Sequence, residues 1–425
     1  MTTGLAIGID VGTSGARVLA MDAGFETVAR SESRMDAHGT DSRDPFVWRA
    51  AVETALSALL AQVDPAAVRA IAVDGTSGTI LAVDGAGTPQ AAAMMYNDVV
   101  QDQAMLDRIA ALAPPTSAAH GPTSGLAKAL EFSRYDGVRH IIHQADWIAG
   151  RFSGRFDVSD ENNALKTGYD PVARDWPDWV DRTGLDPGLL PTVLAPGKPI
   201  GMIKHEAART FGLRDDVVIV AGTTDGCASF LATGASEAGE GVTALGSTLT
   251  IKLLAEAPIF APQFGIYSHR IGERWLAGGA SNSGGKVLAH YFTPSRIAQL
   301  SANIDPDRPS GLDYYPLLGA GERFPFADPA MLPRMDPRPP DDAEFLQGLL
   351  EGIGRIEATA YARLHELGGP RLSSVRSVGG GARNPVWMQM RQRLLGVPFL
   401  PALSEDAAAG TARLALAGAK EAGLL

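Results

Sequence analysis

The sequence is almost without cysteine: Cys227 is the single one in 425 residues. One cysteine cannot close an intrachain disulfide, which excludes a disulfide-stapled scaffold and fits a reducing compartment. Long apolar runs are missing too, and none approaches the roughly 20 residues that span a bilayer. Met1 leads almost directly into Leu5-Ala6-Ile7-Gly8-Ile9, with no basic segment followed by a long apolar one, so no signal peptide is expected. These absences together predict a cytoplasmic protein with no membrane partner. Positive charge is in deficit, 37 Lys and Arg against 48 Asp and Glu, for a net charge of −11. Such a surface repels phosphate backbones, so no nucleic-acid partner is expected. An anionic ligand would need local backbone amides and a metal ion instead. The eight histidines are scattered without metal-ligand spacing and read as structural or surface residues.

What is present is an ordinary globular balance, 45% hydrophobic and 20% charged. It is enough apolar material for two cores of about 200 residues each. Leu5 to Asp22 reads as a hairpin: an apolar strand ends in Asp10, Gly12-Thr13-Ser14-Gly15 turns, and Ala16 to Met21 returns. Gly241 to Leu254 repeats the pattern around Gly246-Ser247-Thr248, a weak internal echo that suggests two similar lobes. Helical spacing is predicted over Pro45–Gln62, Asp342–Leu367, Pro385–Leu395 and Ala407–Ala422, and the middle section from Asp102 to Trp179 reads as mostly helical. Pro306 to Pro340 is rich in proline and aromatics and reads as irregular.

Five segments carry chemistry. In Asp10-Val11-Gly12-Thr13-Ser14-Gly15, a tight turn of glycines and small hydroxyl residues leaves amides free for an anion, and the neighbouring carboxylate can hold Mg²⁺ directly or through water. An ordinary hairpin turn explains the same residues. Gly222-Thr223-Thr224-Asp225-Gly226 presents an acid where a buried strand meets a helix N-terminus. Asp225 is either a helix cap or a general base, since aspartate is ionised at neutral pH and can accept a hydroxyl proton. Gly246-Ser247-Thr248 is a second candidate phosphate turn. Gly379-Gly380-Gly381-Ala382-Arg383-Asn384-Pro385 puts three glycines between a strand and a helix, where a flat ligand can lie on the backbone and a phosphate can meet the helix N-terminus. It is neither a dinucleotide-binding fingerprint nor a Walker A loop. Tyr96-Asn97-Asp98 is a polar pair beside an aromatic, suited to hydroxyl recognition or to a capped turn.

In this order, over essentially the whole chain, these segments resemble the FGGY family of carbohydrate kinases. Ile7-Gly8-Ile9-Asp10-Val11-Gly12-Thr13-Ser14 looks like the first phosphate motif, Gly246-Ser247-Thr248 like the second, and Ser377-Val378-Gly379-Gly380-Gly381-Ala382-Arg383-Asn384 like the adenosine motif. Asp160 to Asp170 and Ala145-Asp146-Trp147 are also family-like. The resemblance implies an α/β protein of two ribonuclease H-like, actin-type lobes, each a mixed five-stranded sheet flanked by helices, with a cleft between. The expected division is 1–232 for a sugar-binding lobe and 233–425 for an ATP-binding lobe, with roughly the last 20 residues able to pack back on the first. It implies ATP and Mg²⁺ as cofactors and a small sugar as substrate, in a monomer or homodimer. Carried over residue by residue, Asp225 is the base and Asp10 positions Mg²⁺, both near the sugar. Gly12, Thr13, Ser14, Gly246, Ser247 and Thr248 meet phosphate, and Gly380, Gly381 and Asn384 lie against the nucleoside.

One departure bears on substrate. Many members carry Trp-x-Asp-x-Arg where this chain has Tyr96-Asn97-Asp98-Val99-Val100. The aspartate is kept and an arginine's five donors are lost. That change, the short chain, Gly75-Thr76-Ser77-Gly78-Thr79, and the run from Tyr267-Ser268-His269-Arg270 to Gly284-Gly285 are similar to a compact subgroup of D-ribulose kinases, often labelled xylulose kinase-like. The expected substrate is D-ribulose, giving D-ribulose 5-phosphate, with Ser77 and Asp98 as sugar contacts. D-xylulose or a polyol is the alternative within the family. An actin-like ATPase or a silent sugar-binding regulator is the alternative outside it.

Overall fold

The computed structural model describes residues 4–425, and the first three residues of the expected first lobe lie outside them. The described chain divides into two compact units. One holds the residues up to Ala232 together with His269–Gly272 and Asp406–Leu425; the other holds Thr233–Ser268 and Glu273–Glu405.

In the first unit, β1 (Leu5–Val11) and β2 (Gly15–Asp22) form the hairpin, with Asp10 opposite Arg17. All seven residues of β1 are buried, as an unbroken apolar run requires of a strand covered on both faces. β3 (Thr27–Arg34) pairs with β2. The sequence reading marks no strand there, because Arg30, Glu32 and Arg34 interrupt the apolar pattern; pairing with β2, not burial, makes it a strand. β4 (Val68–Gly75) lies parallel to β1, and β6 (Val218–Thr224) parallel to β4, with β5 (Pro199–Met202) antiparallel on the edge. The resulting order is β3-β2-β1-β4-β6-β5.

Helix α1 (Pro45–Leu60) starts where the Asp44 side chain accepts from the Phe46 N–H and Pro45 takes a position needing no donor. It buries Trp48, Val52, Leu56 and Leu59 in the same core as β1 and β4. The middle section is less helical than its composition suggests. His140–His143 is a strand paired with Ile80–Val83, and Val158–Asp160 pairs with Thr192–Leu194. The β-branched Ile141, Ile142 and Val158 favour that outcome locally. Helix α2 (Gly125–Phe132) and helix α3 (Asp225–Ala232) complete what the site needs.

In the second unit, β7 (Glu240–Leu245) and β8 (Leu249–Ala255) repeat the hairpin, β9 (Arg274–Ser281) extends it, and β10 (Ser374–Val378) runs parallel to β7 with the short β11 (Phe399–Leu400) beyond. Each unit thus sets a hairpin whose first strand has a later parallel neighbour. Helix α4 (Asp342–Glu366) supplies Phe345, Leu349, Ile353 and Ile356 to this core. Its Glu357 takes two 2.6 Å hydrogen bonds from Arg391 on helix α5 (Pro385–Leu395), both side chains being fully buried. Removing one partner of such a pair costs about 3–5 kcal/mol.

The last helix, α6 (Ala407–Glu421), belongs to the first unit and packs its alanines on β1, β4 and β6. Gly8 lets it come close: a side chain there would strike the Ala408 carbonyl. No helix among the described residues is long and apolar enough to cross a membrane.

Candidate active site

Three parallel strands of the first unit finish at neighbouring positions and each delivers a polar side chain. Asp10 on β1 sits opposite Asp74 on β4, and Thr223 on β6 sits opposite Asp74 on its other side. Two residues on, Asp225 begins α3, where the helix N-terminus favours negative charge.

The acids are crowded and mostly withdrawn from water. Asp10 is buried, and its Oδ2 accepts from Arg17 Nη1 at 3.0 Å. Burial pushes its carboxyl above the ordinary value, against the pull of Arg17. Asp74 is wholly buried, and burial first and the Asp10 charge second push it well above the usual range. Thr411 on α6 donates to Asp74 Oδ2, while Oδ1 has no hydrogen-bond partner. Asp225 Oδ1 accepts from its neighbour Gly226 N–H at 2.7 Å. Burial raises its pKa, the Gly226 N–H lowers it, the Asp10 charge raises it, and Lys166 and the Ser77 N–H oppose. The result is a partly shielded carboxylate with raised proton affinity, which suits a proton acceptor.

Ser77 lies in the loop after β4. Thr76 fixes that loop: its N–H and its hydroxyl meet Gln144 Oε1 at 3.1 and 2.9 Å, and its hydroxyl meets Thr79 Oγ1 at 2.6 Å. Thr79 Oγ1 in turn accepts from the Tyr96 N–H at 3.0 Å, tying this loop to the Tyr96-Asn97-Asp98 segment. Ser77 Oγ is buried with no hydrogen-bond partner, a hydroxyl in need of one. Asp98 is already engaged. It accepts from the Met95 N–H at 2.8 Å and from Arg43 at 2.6 and 3.1 Å. Burial alone would raise its pKa, but the Arg43 and Met95 donors outweigh that and hold it below the ordinary value. Thr13 and Ser14 are exposed on the hairpin turn, which the Gly12 N–H closes on the Gly15 carbonyl at 3.0 Å.

In the second unit, Gly246 and Ser247 are exposed in the β7–β8 turn beside Thr248. Their carbonyls accept from the N–H groups of Gly285 and Lys286 at 2.9 and 3.0 Å, clipping the turn to the start of the helix Gly285–Tyr291. Gly380, Gly381 and Asn384 line a pocket of about 530 Å³ with Leu245, Leu288, Ile297 and Trp387. It is largely apolar and of ligand size, as a flat heteroaromatic base would require. Asn384 also caps α5, accepting from Val386 and Trp387 N–H at 3.1 Å, while its amide donates to Ser301 Oγ at 2.9 Å.

The structure therefore brings Asp10, Ser77 and Asp225 together in one unit and Gly380, Gly381 and Asn384 together in the other. Arg17, Asp74, Thr411 and Arg43 escaped the sequence reading. Asp74 left a readable trace, an aspartate ending a buried strand as Asp10 does. Arg17 faces Asp10 across the hairpin, and Thr411 and Arg43 are joined to the site by pairings distant in sequence. No group of three or more His, Cys, Asp or Glu able to hold a metal occurs among the described residues. Mg²⁺ keeps its waters and is carried mainly by nucleotide phosphates with one or two carboxylates. Asp10, with Asp74 behind it, is a fitting donor set.

Residues 238–419 match the C-terminal domain of the FGGY family of carbohydrate kinases. The chain is 25% identical over 444 residues to a xylulose kinase of Escherichia coli, an alignment covering 96% of this chain and 89% of that one. It is 28% identical to an autoinducer-2 kinase of Yersinia pestis over 63% of this chain and 55% of the relative. The structure of a protein described as a xyloylose kinase from Brucella ovis superposes with a TM-score of 0.87 at 23% identity, covering 98% of this chain and 91% of that one. Fold and site thus define an α/β phosphotransferase of the sugar kinase type. Its C-terminal part matches the FGGY carbohydrate kinase domain, and with the similarity to xylulose kinase along nearly the whole chain this makes it a carbohydrate kinase, a phosphotransferase with an alcohol group as acceptor.

Proposed function

We propose that this enzyme transfers the γ-phosphoryl group of ATP to a terminal hydroxyl of a ketopentose, D-ribulose first, with Asp225 as general base. The observation that carries this reading is Asp225 itself: a carboxylate of raised proton affinity at a helix N-terminus, beside the Ser77 amide. The sugar hydroxyl gives its proton to Asp225 late, as its oxygen bonds to phosphorus and the bond from phosphorus to the ADP oxygen breaks. Ser77 Oγ, buried and without a partner, is assigned to a sugar hydroxyl, and Asp98 to another through the lone pairs Arg43 leaves open. Gly12, Thr13 and Ser14 are assigned to phosphate, as are Gly246, Ser247 and Thr248. Gly380, Gly381 and Asn384 are assigned to the nucleoside. Mg²⁺, approached by Asp10, would supply charge neutralisation at the phosphate oxygens.

D-ribulose is preferred because Tyr96-Asn97-Asp98-Val99-Val100 lacks the motif arginine common among other members of the family. D-xylulose is the competing substrate, supported by the end-to-end similarity to the E. coli xylulose kinase. Measuring kcat/KM for both sugars side by side decides it. A ratio of at least about 10 in favour of D-ribulose supports the assignment, and the reverse ratio replaces it with D-xylulose.

A further inference from the structure

We propose that Lys128 and Lys166 are positioning residues that hold the Thr76–Gly78 loop against the base, so that sugar binding depends on them and nucleotide binding does not. This rests on the kinase reading above. Lys128, on α2, is fully buried. Its Nζ donates to two backbone carbonyls, Gly78 at 2.9 Å and Met95 at 2.7 Å. It thereby ties the loop that carries Ser77 to the segment that carries Tyr96 and Asp98. Lys166, in the turn Leu165–Thr167, donates to the preceding carbonyl of the same loop, Ser77, at 3.4 Å. Two ammonium groups from separate elements thus hold two consecutive carbonyls.

The arrangement has a direct consequence for the site. The Ser77 and Gly78 carbonyls are drawn to the lysines, and the same segment carries the Ser77 N–H that lowers the Asp225 pKa. Gly78 permits the required bend, with φ of +86°. A Cβ there would meet Lys166 Cδ at 3.4 Å, so the ammonium stem fills the space a side chain would take. The same loop presents the unpartnered Ser77 hydroxyl. One short segment therefore addresses both the base and the sugar, and its placement is set by the lysines.

A buried ammonium is an expensive way to satisfy two carbonyls that a neutral donor would satisfy. Burial pushes Lys128 down to about 8, with Asp98 raising it and Lys166 lowering it further. That cost argues for a role of the charge in the site rather than in folding alone.

The test is steady-state kinetics of the full chain with D-ribulose and D-xylulose, comparing wild type with Lys128→Met and Lys166→Met. KM for sugar and for ATP are measured separately, and MgADP binding is measured by calorimetry. The expected result is a sugar KM raised at least about 10-fold in each variant, with ATP KM and MgADP affinity within about twofold of wild type. An unchanged sugar KM overturns the proposal, as does a parallel rise in both KM values. Where Lys128→Met fails to fold, Lys166→Met decides alone, its side chain being only half-buried. A wild type with no sugar-dependent turnover overturns the kinase reading and this one with it. An active wild type with unaltered lysine variants overturns this one only.

Discussion

Arg43 forks onto Asp98 across 55 residues of sequence, Nη2 to Oδ1 at 2.6 Å and Nε to Oδ2 at 3.1 Å. The pair ties the Tyr96–Val100 segment to the residues that precede α1. Bidentate geometry fixes the carboxylate's orientation as well as its charge.

The pair's solvent exposure separates its two roles. Arg43 is 54% exposed and Asp98 18%, so solvent screening leaves the ion pair little weight in stability. Arg43→Ala should leave the melting temperature nearly unchanged yet raise sugar KM about 10-fold, by freeing Asp98 to turn. Melting curves and sugar titrations check it, and a large loss of stability would contradict the role given to the pair.

Much of the fold was legible in local chemistry. The two hairpins announce themselves as apolar strands around Gly12-Thr13-Ser14 and Gly246-Ser247-Thr248. Helix α5 is marked by Asn384-Pro385, a cap followed by a proline that needs no donor. What escaped was set by topology. β3 is polar and becomes a strand only because β2 lies beside it. Asp74 gains its meaning from facing Asp10 across parallel strands, and Lys128 from reaching two loops that sequence spacing cannot join.

The acid limb of the rate profile should lie high. Burial and the Asp10 charge raise Asp225, and a general base acts only when ionised. As pH falls, kcat/KM should drop at a pH above the ordinary aspartate value of about 3.9. Lys166 opposes that rise, so Lys166→Met should move the limb to still higher pH. A pH–rate profile of both proteins checks the order, and a limb moving down in the variant would contradict it.

Folding stability should carry a separate pH signature from Asp160. This carboxyl is wholly buried and pushed up from 3.8 to about 7, by burial first and the charge of Asp146 second. The native state therefore holds its proton more tightly than the unfolded chain between those values. Stability from this group falls as pH rises through that window. Asp160→Asn should be relatively more stable, compared with wild type, at pH 8 than at pH 5. Denaturant melts at the two pH values measure the difference, which should vanish if Asp160 is ordinary.

The pocket proposed for the nucleoside makes a contrast between neighbouring glycines. A Cβ at Gly381 would lie 2.5 Å from the Trp387 ring and 2.8 Å from Leu245, whereas one at Gly380 meets nothing within 4 Å. Gly381→Ala should weaken MgADP binding about 10-fold by displacing the pocket wall, and Gly380→Ala should leave the fold intact. Calorimetric titration of both variants checks it.

The central claim is that Asp225 takes the proton of a sugar hydroxyl during phosphoryl transfer. The direct measurement is ADP release from Mg-ATP by wild type and Asp225→Ala, across ketopentoses, pentitols, hexoses and glycerol, with a control lacking sugar. Strong stimulation of wild type by one sugar is expected, with D-ribulose foremost. In the variant, turnover should fall about 10²- to 10⁴-fold while MgADP binding is retained. Near-wild-type turnover in Asp225→Ala, or a wild type that no sugar stimulates, would contradict it.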